Sequence, residues 1–177
     1  MKKILFALMP ENYRDEEFSI PYDMLVKKEY QVDVAGFRMG EAVGSGGYKH
    51  VPNLQLDNLT NQDFDNYDAL VIPGGPGSTK YLWNNEKLQK IIKHFHDNKK
   101  IVAAICYAVI APVQSGILKN KLTTVSPTDE AKAILKENNV IFSEQGCITL
   151  QDEKIITAQG PKFANEFGQA IINLLEK

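Results

Sequence analysis

Short apolar runs alternate with stretches of helical periodicity along almost the whole chain, and this alternation constrains the fold more than any single motif. Ile4–Met9 is continuously apolar, as a strand buried on both faces must be. Glu17–Glu29 places Ile20, Met24 and Leu25 on one helical face, with Pro21 in the first turn, where a missing amide costs little. Gln31–Phe37 alternates and is rich in β-branched residues, which marks a second strand. Gly44-Ser45-Gly46-Gly47 is a turn carrying a small hairpin towards Val51. Asp68–Ile72 is another buried strand, ending in Pro73-Gly74-Gly75-Pro76-Gly77. Glu86–His96 is helical through Leu88, Ile91, Ile92 and Phe95; Lys100–Ile105 is a strand, and Tyr107–Gly116 the helix after it. Thr128–Asn138 has a threonine cap, acids in its first turn and Ala131, Ile134 and Leu135 on one face. Cys147–Leu150 and Lys154–Thr157 flank the turn Gln151-Asp152-Glu153, and Phe163–Leu175 is a closing helix. Strands alternating with helices imply β-α-β units with right-handed crossovers. The expected fold is therefore α/β, a mostly parallel sheet between two helical layers.

The length, 177 residues, suits one domain over 1–177, and no repeat or linker divides it. A chain of this size buries roughly 70% of its unfolded surface and needs no disulfide or metal staple. Twenty basic side chains against 22 acidic ones leave a formal charge of −2, too balanced to draw nucleic acid or an anionic membrane. The pairs Lys27-Lys28 and Lys99-Lys100 fall at helix ends, where cations suit the dipole. The apolar run near the N-terminus is too short for a secretion signal, and Pro10 and charges follow it. No stretch approaches the ~20 apolar residues of a membrane span. Cys106 and Cys147 stand far apart in dissimilar contexts and form no disulfide framework or zinc pattern. The expectation is a cytoplasmic protein without metal or organic cofactor.

In parallel α/β sheets chemistry gathers at the carboxyl ends of strands, here after Met9, Ile72 and Ile105. Cys106 ends its strand and a helix begins at once, the arrangement of a nucleophile elbow with cysteine in place of serine. Unpaired amides at that helix start favour thiolate, while a structural buried cysteine is the common alternative. Gly74-Gly75 lets backbone amides approach a neighbouring group and form an oxyanion hole, though such pairs also make ordinary tight turns. Asp15, Glu16 and Glu17 precede the first helix, where acids usually complement the dipole; one turned into the site would be the exception.

These residues together resemble the ThiJ/PfpI family. The matching segments are Tyr13-Arg14-Asp15-Glu16-Glu17-Phe18-Ser19-Ile20-Pro21, Asp68-Ala69-Leu70-Val71-Ile72-Pro73-Gly74-Gly75 and Ala103-Ala104-Ile105-Cys106. Gly116–Thr123 and Thr157-Ala158-Gln159-Gly160-Pro161 follow in the family's order. The resemblance implies a flavodoxin-like sandwich, a homodimer or larger oligomer, and a reactive Cys106. It implies that Glu17 hydrogen-bonds the sulfur and that the Gly75 amide faces the same site. It also implies a small carbonyl compound or a modified protein as substrate, since members are described as glyoxalases, deglycases, peptidases, chaperones and oxidation sensors.

The chain departs from the family at its histidines. Tyr107 stands directly after the cysteine where the hydrolase-like branch has one, and Ser126 stands where the deglycase-like branch has one. Tyr107 can donate a hydrogen bond near the sulfur, but its pKa near ~10 makes it a poor base. His94 and His96 read as solvent-facing, His50 as exposed, and Cys147 as core packing. A cysteine-dependent enzyme acting on reactive carbonyls or glycated adducts is the leading reading. A non-catalytic redox-responsive thiol protein or chaperone is the alternative, and a peptidase or amidase is weaker because position 107 lacks histidine.

Overall fold

The first apolar run becomes β1 (Lys3–Leu8) in the computed structural model, which describes residues 1–177. α1 (Asp15–Lys27), β2 (Gln31–Gly36), the hairpin β3 (Ala42–Val43) and β4 (Lys49–His50), and β5 (Leu54–Gln55) follow. After α2 (Asn61–Phe64) come β6 (Ala69–Ile72), α3 (Ser78–Tyr81), α4 (Glu86–Asp97) and β7 (Ile101–Ile105). The remaining elements are α5 (Ile110–Ser115), β8 (Leu122–Thr123), α6 (Asp129–Glu137), β9 (Ile141–Phe142), β10 (Cys147–Leu150), β11 (Ile155–Ala158) and α7 (Ala164–Leu175).

The main sheet has the order β10-β11-β7-β6-β1-β2-β5. Every pairing in it is parallel except β10 with β11, which form a hairpin. The chain moves outward from β1 through β2 in one direction and from β6 through β7 in the other. That reversal opens a crevice beyond the carboxyl ends of β1, β6 and β7. α1 and α7 pack together on one face of the sheet, and α4, α5 and α6 cover the other. Both faces being covered, β1 from Ile4 onward and the whole of β6 and β7 are buried, which is why they read as continuous apolar runs.

Several elements differ from the sequence expectation for definable reasons. α1 begins at Asp15, so Pro21 lies in its second turn rather than its first and offers no amide to the Glu17 carbonyl. The helix after Cys106 opens as a 3-10 turn over Cys106–Val109 before α5. Pro112, lacking an amide, cannot close an α-helical bond to Ala108. His94 and His96 are half-buried against Asp65 and Glu153 rather than solvent-facing. His50 is also half-buried, its ring 4.8 Å from that of Phe18 and 5.3 Å from that of Tyr22. No helix is long and apolar enough to cross a membrane.

Candidate active site

Ile105 ends β7 in extended conformation, and Cys106 turns abruptly to a φ of 61°. A residue with a Cβ pays about 1–2 kcal/mol for such left-handed backbone. The surrounding contacts hold it there. Trp83 Nε1 donates to the Tyr107 carbonyl at 2.8 Å. Ala103, Ala104 and Ala108 are fully buried beneath the turn, where larger side chains would force strand and helix apart. Cys106 keeps 8% of its surface exposed and lines a cavity open to solvent.

Glu17 approaches the same sulfur from the first turn of α1 and is fully buried. Its Oε2 accepts from the Gly74 amide at 3.0 Å. Oε1 makes no hydrogen bond of ordinary geometry, and its carboxyl interacts with the Cys106 thiol. Arg14 fixes the helix start against the Gly-Gly turn, its amide donating to the Gly74 carbonyl at 2.8 Å. Of the three acids, Glu17 alone turns inward. Asp15 accepts from the Gly46 and Tyr48 amides of the β3–β4 hairpin, and Glu16 pairs with Arg14 at 3.1 Å.

Burial pushes the Glu17 carboxyl up to about 8, against the lowering pull of Cys106 and the Gly74 amide. Burial, and next the Glu17 charge, push the Cys106 thiol up to about 12, while the Tyr107 amide and the Ser126 hydroxyl pull it down. The repulsion exists only while Glu17 is ionised. Carboxyl and thiol therefore titrate as one unit that gives up a first proton far more readily than a second.

A cavity of about 240 Å³ opens beside the sulfur, lined by Cys106, Ser126, Pro127 and the segment Gln159–Phe163. Ser126 is positioned from two sides. The Thr124 amide donates to the buried Thr157 Oγ1 at 3.3 Å, and Thr128 caps α6 just beyond. Phe163 lies against Gly146, where a Cβ would meet the ring at 2.0 Å.

The structure thus brings Cys106, Glu17 and the Gly-Gly turn together. The amide bonded to Glu17 is that of Gly74. Gly75 has a φ of 126° and packs against Asn12, Tyr13 and Arg14, where no Cβ would fit. Tyr107 offers its backbone amide to the sulfur and turns its ring edge-on to Trp83, 5.8 Å away. Ser126, Gln159, Lys162 and Phe163 were not singled out as site residues from sequence. The signal for Gln159, Lys162 and Phe163 was a fourth strand end, that of β11, where Gly160-Pro161 breaks the chain, whereas Ser126 lies between β8 and α6. Cys147 sits on β10 paired opposite Ala158, which itself pairs with Ile105. One whole strand separates the two cysteines, a spacing of about 10 Å that no disulfide spans.

A left-handed cysteine between a parallel strand and a helix, backed by a buried carboxyl, defines an α/β protein of the nucleophile-elbow type. Residues 2–174 match the DJ-1/PfpI family, and the chain belongs to that family. An uncharacterized protein of Methanocaldococcus jannaschii is 37% identical over 99% of this chain and 83% of its own length. A glutathione-independent glyoxalase of Caenorhabditis elegans is 29% identical over 99% of this chain and 89% of its own. Other relatives, from Pyrococcus furiosus and Thermococcus kodakarensis, bear the name deglycase. Among solved structures, a ThiJ/PfpI domain protein from Brachyspira murdochii superposes with a TM-score of 0.89 at 25% identity, covering 98% of this chain and 96% of its own.

Proposed function

We propose that this chain acts on small reactive carbonyls through Cys106 and Glu17, converting 2-oxoaldehydes to 2-hydroxy acids, with glycated adducts as related substrates. The observation carrying this reading is the fully buried Glu17 carboxyl against the sulfur on the elbow, its pKa pushed up to about 8 by that burial. When the pair loses its first proton, a thiolate gains the Glu17 O–H, the Tyr107 amide and the Ser126 hydroxyl as donors. An ionised Glu17 would gain only the Gly74 amide and the thiol. The carboxyl remains the stronger acid of the two, at about 8 against about 12, so the thiolate is the minor form of the singly deprotonated pair, and these donors are what hold it ready to react.

The thiolate adds to the aldehyde carbon, and the new oxyanion takes the Glu17 proton. The Glu17 carboxylate then removes the hydrogen of that carbon as a proton, leaving an enediolate. It returns that proton to the neighbouring ketone carbon while the hydroxyl proton passes from the first oxygen to the second, which leaves a thioester beside a new hydroxyl. One carbon is oxidised and the next reduced, so no external oxidant enters. Water cleaves the resulting thioester, releasing the 2-hydroxy acid and the free thiol. A single residue carries each proton, so the reaction runs without a histidine at position 107 or 126.

The test is methylglyoxal consumption by wild type and Cys106→Ala, with lactate measured as product. Loss of turnover in the variant supports the reading, and undiminished turnover sinks it. A redox role is favoured by the same donors, which would hold sulfinate oxygens as well as an oxyanion. Mild peroxide should then add two oxygens to Cys106 before Cys147, and equal oxidation of both counts against it. The homodimer that the family resemblance implies would cover Tyr48 and Val51, exposed apolar side chains of the hairpin region. Light scattering that returns the mass of one chain removes that proposal.

A further inference from the structure

Lys162 is the only cation among the residues lining the cavity beside Cys106. Its ammonium lies 5.9 Å from the Phe163 ring centroid and joins none of the ion pairs in the structure. Even Glu166, one helical turn further on, does not pair with it. The segment presenting the lysine is stiff. Pro161 fixes the backbone of a 3-10 turn, the Phe163 amide donates to the Gly160 carbonyl at 2.9 Å, and the Phe163 ring is wedged over Gly146. The remaining walls are neutral: Ser126 and Gln159 offer hydrogen bonds, while Pro127, Pro161 and Phe163 are apolar. At about 240 Å³ the space suits a molecule of a few carbons.

We infer that Lys162 is a specificity-determining residue, selecting small carbonyl substrates that carry an anionic group while Cys106 meets their aldehyde. This rests on the carbonyl-processing reading of the same site and names its substrate class. Carboxylate and phosphate both satisfy an ammonium on a flexible stem, so the shared chemistry is a compact anion a few bonds from the aldehyde.

The first measurement is alkylation of Cys106 by iodoacetate and by iodoacetamide, in wild type, Lys162→Gln and Lys162→Arg, followed by mass spectrometry at that residue. The ratio of the two rates cancels the intrinsic reactivity of the thiol and requires no turnover. The ratio should fall roughly two- to fivefold in Lys162→Gln, recover in Lys162→Arg, and fall in wild type as salt is raised. A ratio unchanged by Lys162→Gln, or no labelling of Cys106 by either reagent, overturns the inference. The second measurement compares kcat/KM for 4,5-dioxopentanoate and hydroxypyruvaldehyde phosphate with that for methylglyoxal. The anionic-to-neutral preference should drop in Lys162→Gln, chiefly through KM, and whichever anion loses more identifies the group held. Turnover with a preference that Lys162→Gln leaves intact overturns the inference and spares the proposed reaction. A fallen alkylation ratio without turnover of any dicarbonyl retains the anion selectivity and retires the reaction.

Discussion

Gly74 shows how little room the site leaves. A Cβ there would sit 2.4 Å from the Ile105 carbonyl oxygen, 2.8 Å from Glu17 Oε2 and 3.0 Å from the Cys106 Cβ. Two of these contacts are with the catalytic pair proposed above, and the third is with unyielding backbone. Gly74→Ala is expected to destabilise the fold by roughly 1–3 kcal/mol and to abolish methylglyoxal turnover. Urea unfolding and a kinetic assay check this, and wild-type activity in a folded variant would show that the turn can yield. Ser126 is the subtler case. Its hydroxyl stabilises negative charge on the sulfur, so Ser126→Ala should raise the thiol pKa and slow alkylation at neutral pH roughly two- to tenfold. An unchanged midpoint in pH-dependent alkylation would mean that the hydroxyl serves another partner. Sequence marked this position only by the histidine it lacks. Cys106 was legible because a small-residue strand ran straight into it, and Glu17 because one acid of three matched a family position. Lys162 and Phe163 were not, because they follow β11, a strand end that carries no nucleophile or acid to mark it.

At the scale of elements, legibility followed length. β1, α4, β7, α6 and α7 each give enough residues for a period to appear in sequence. β5, α2, α3 and the β8–β9 pair span two to four residues each and leave no periodic trace. They are held by tertiary contacts and caps, such as Thr60 and Asp63 closing a reciprocal capping box on α2. α1 began earlier than expected because its acids are the first turn itself rather than a loop before it. α6 links an element to the site: its N-cap Thr128 accepts from the Ala131 amide at 3.2 Å, two residues after Ser126. Thr128→Ala is expected to lower stability by about 1 kcal/mol. It should also loosen Ser126 and shift the Cys106 alkylation midpoint in the same direction as Ser126→Ala, by less. Denaturant midpoints and alkylation profiles of both variants test this. A Thr128→Ala profile identical to wild type would separate the cap from the site.

For the molecule as a whole, a buried carboxyl couples the site to global stability. Glu17 keeps its proton in the folded state up to about pH 8, whereas in the unfolded chain it ionises near 4.5. Between those values the folded protein binds more protons than the unfolded one, so stability must fall as pH rises. The loss begins near pH 4.5, is complete near 8, and amounts to no more than about 5 kcal/mol, part of it offset by proton sharing with Cys106. Glu11, Asp63 and Glu176 act in the opposite sense. Their pKa values are lowered by hydrogen bonds, from Tyr81 and Lys80, from Thr60, and from Lys28 and Tyr30 respectively. Their contribution is lost only as pH drops below the ordinary carboxylate range, so the two effects occupy different windows. The thiol of Cys106 acts like Glu17 but above pH 9. Glu17→Gln keeps an acceptor for the Gly74 amide and removes the titration. His50 and His96, their pKa values lowered by burial, add stability to both proteins as pH rises through the histidine range, so the variant should gain steadily on wild type between pH 5 and 8. The difference between the two proteins, measured by urea unfolding at each pH, isolates this one carboxyl from every other group. Parallel curves would mean that Glu17 is ionised in the folded state, and the proton it is proposed to pass between sulfur adduct and substrate carbon would not be there to pass.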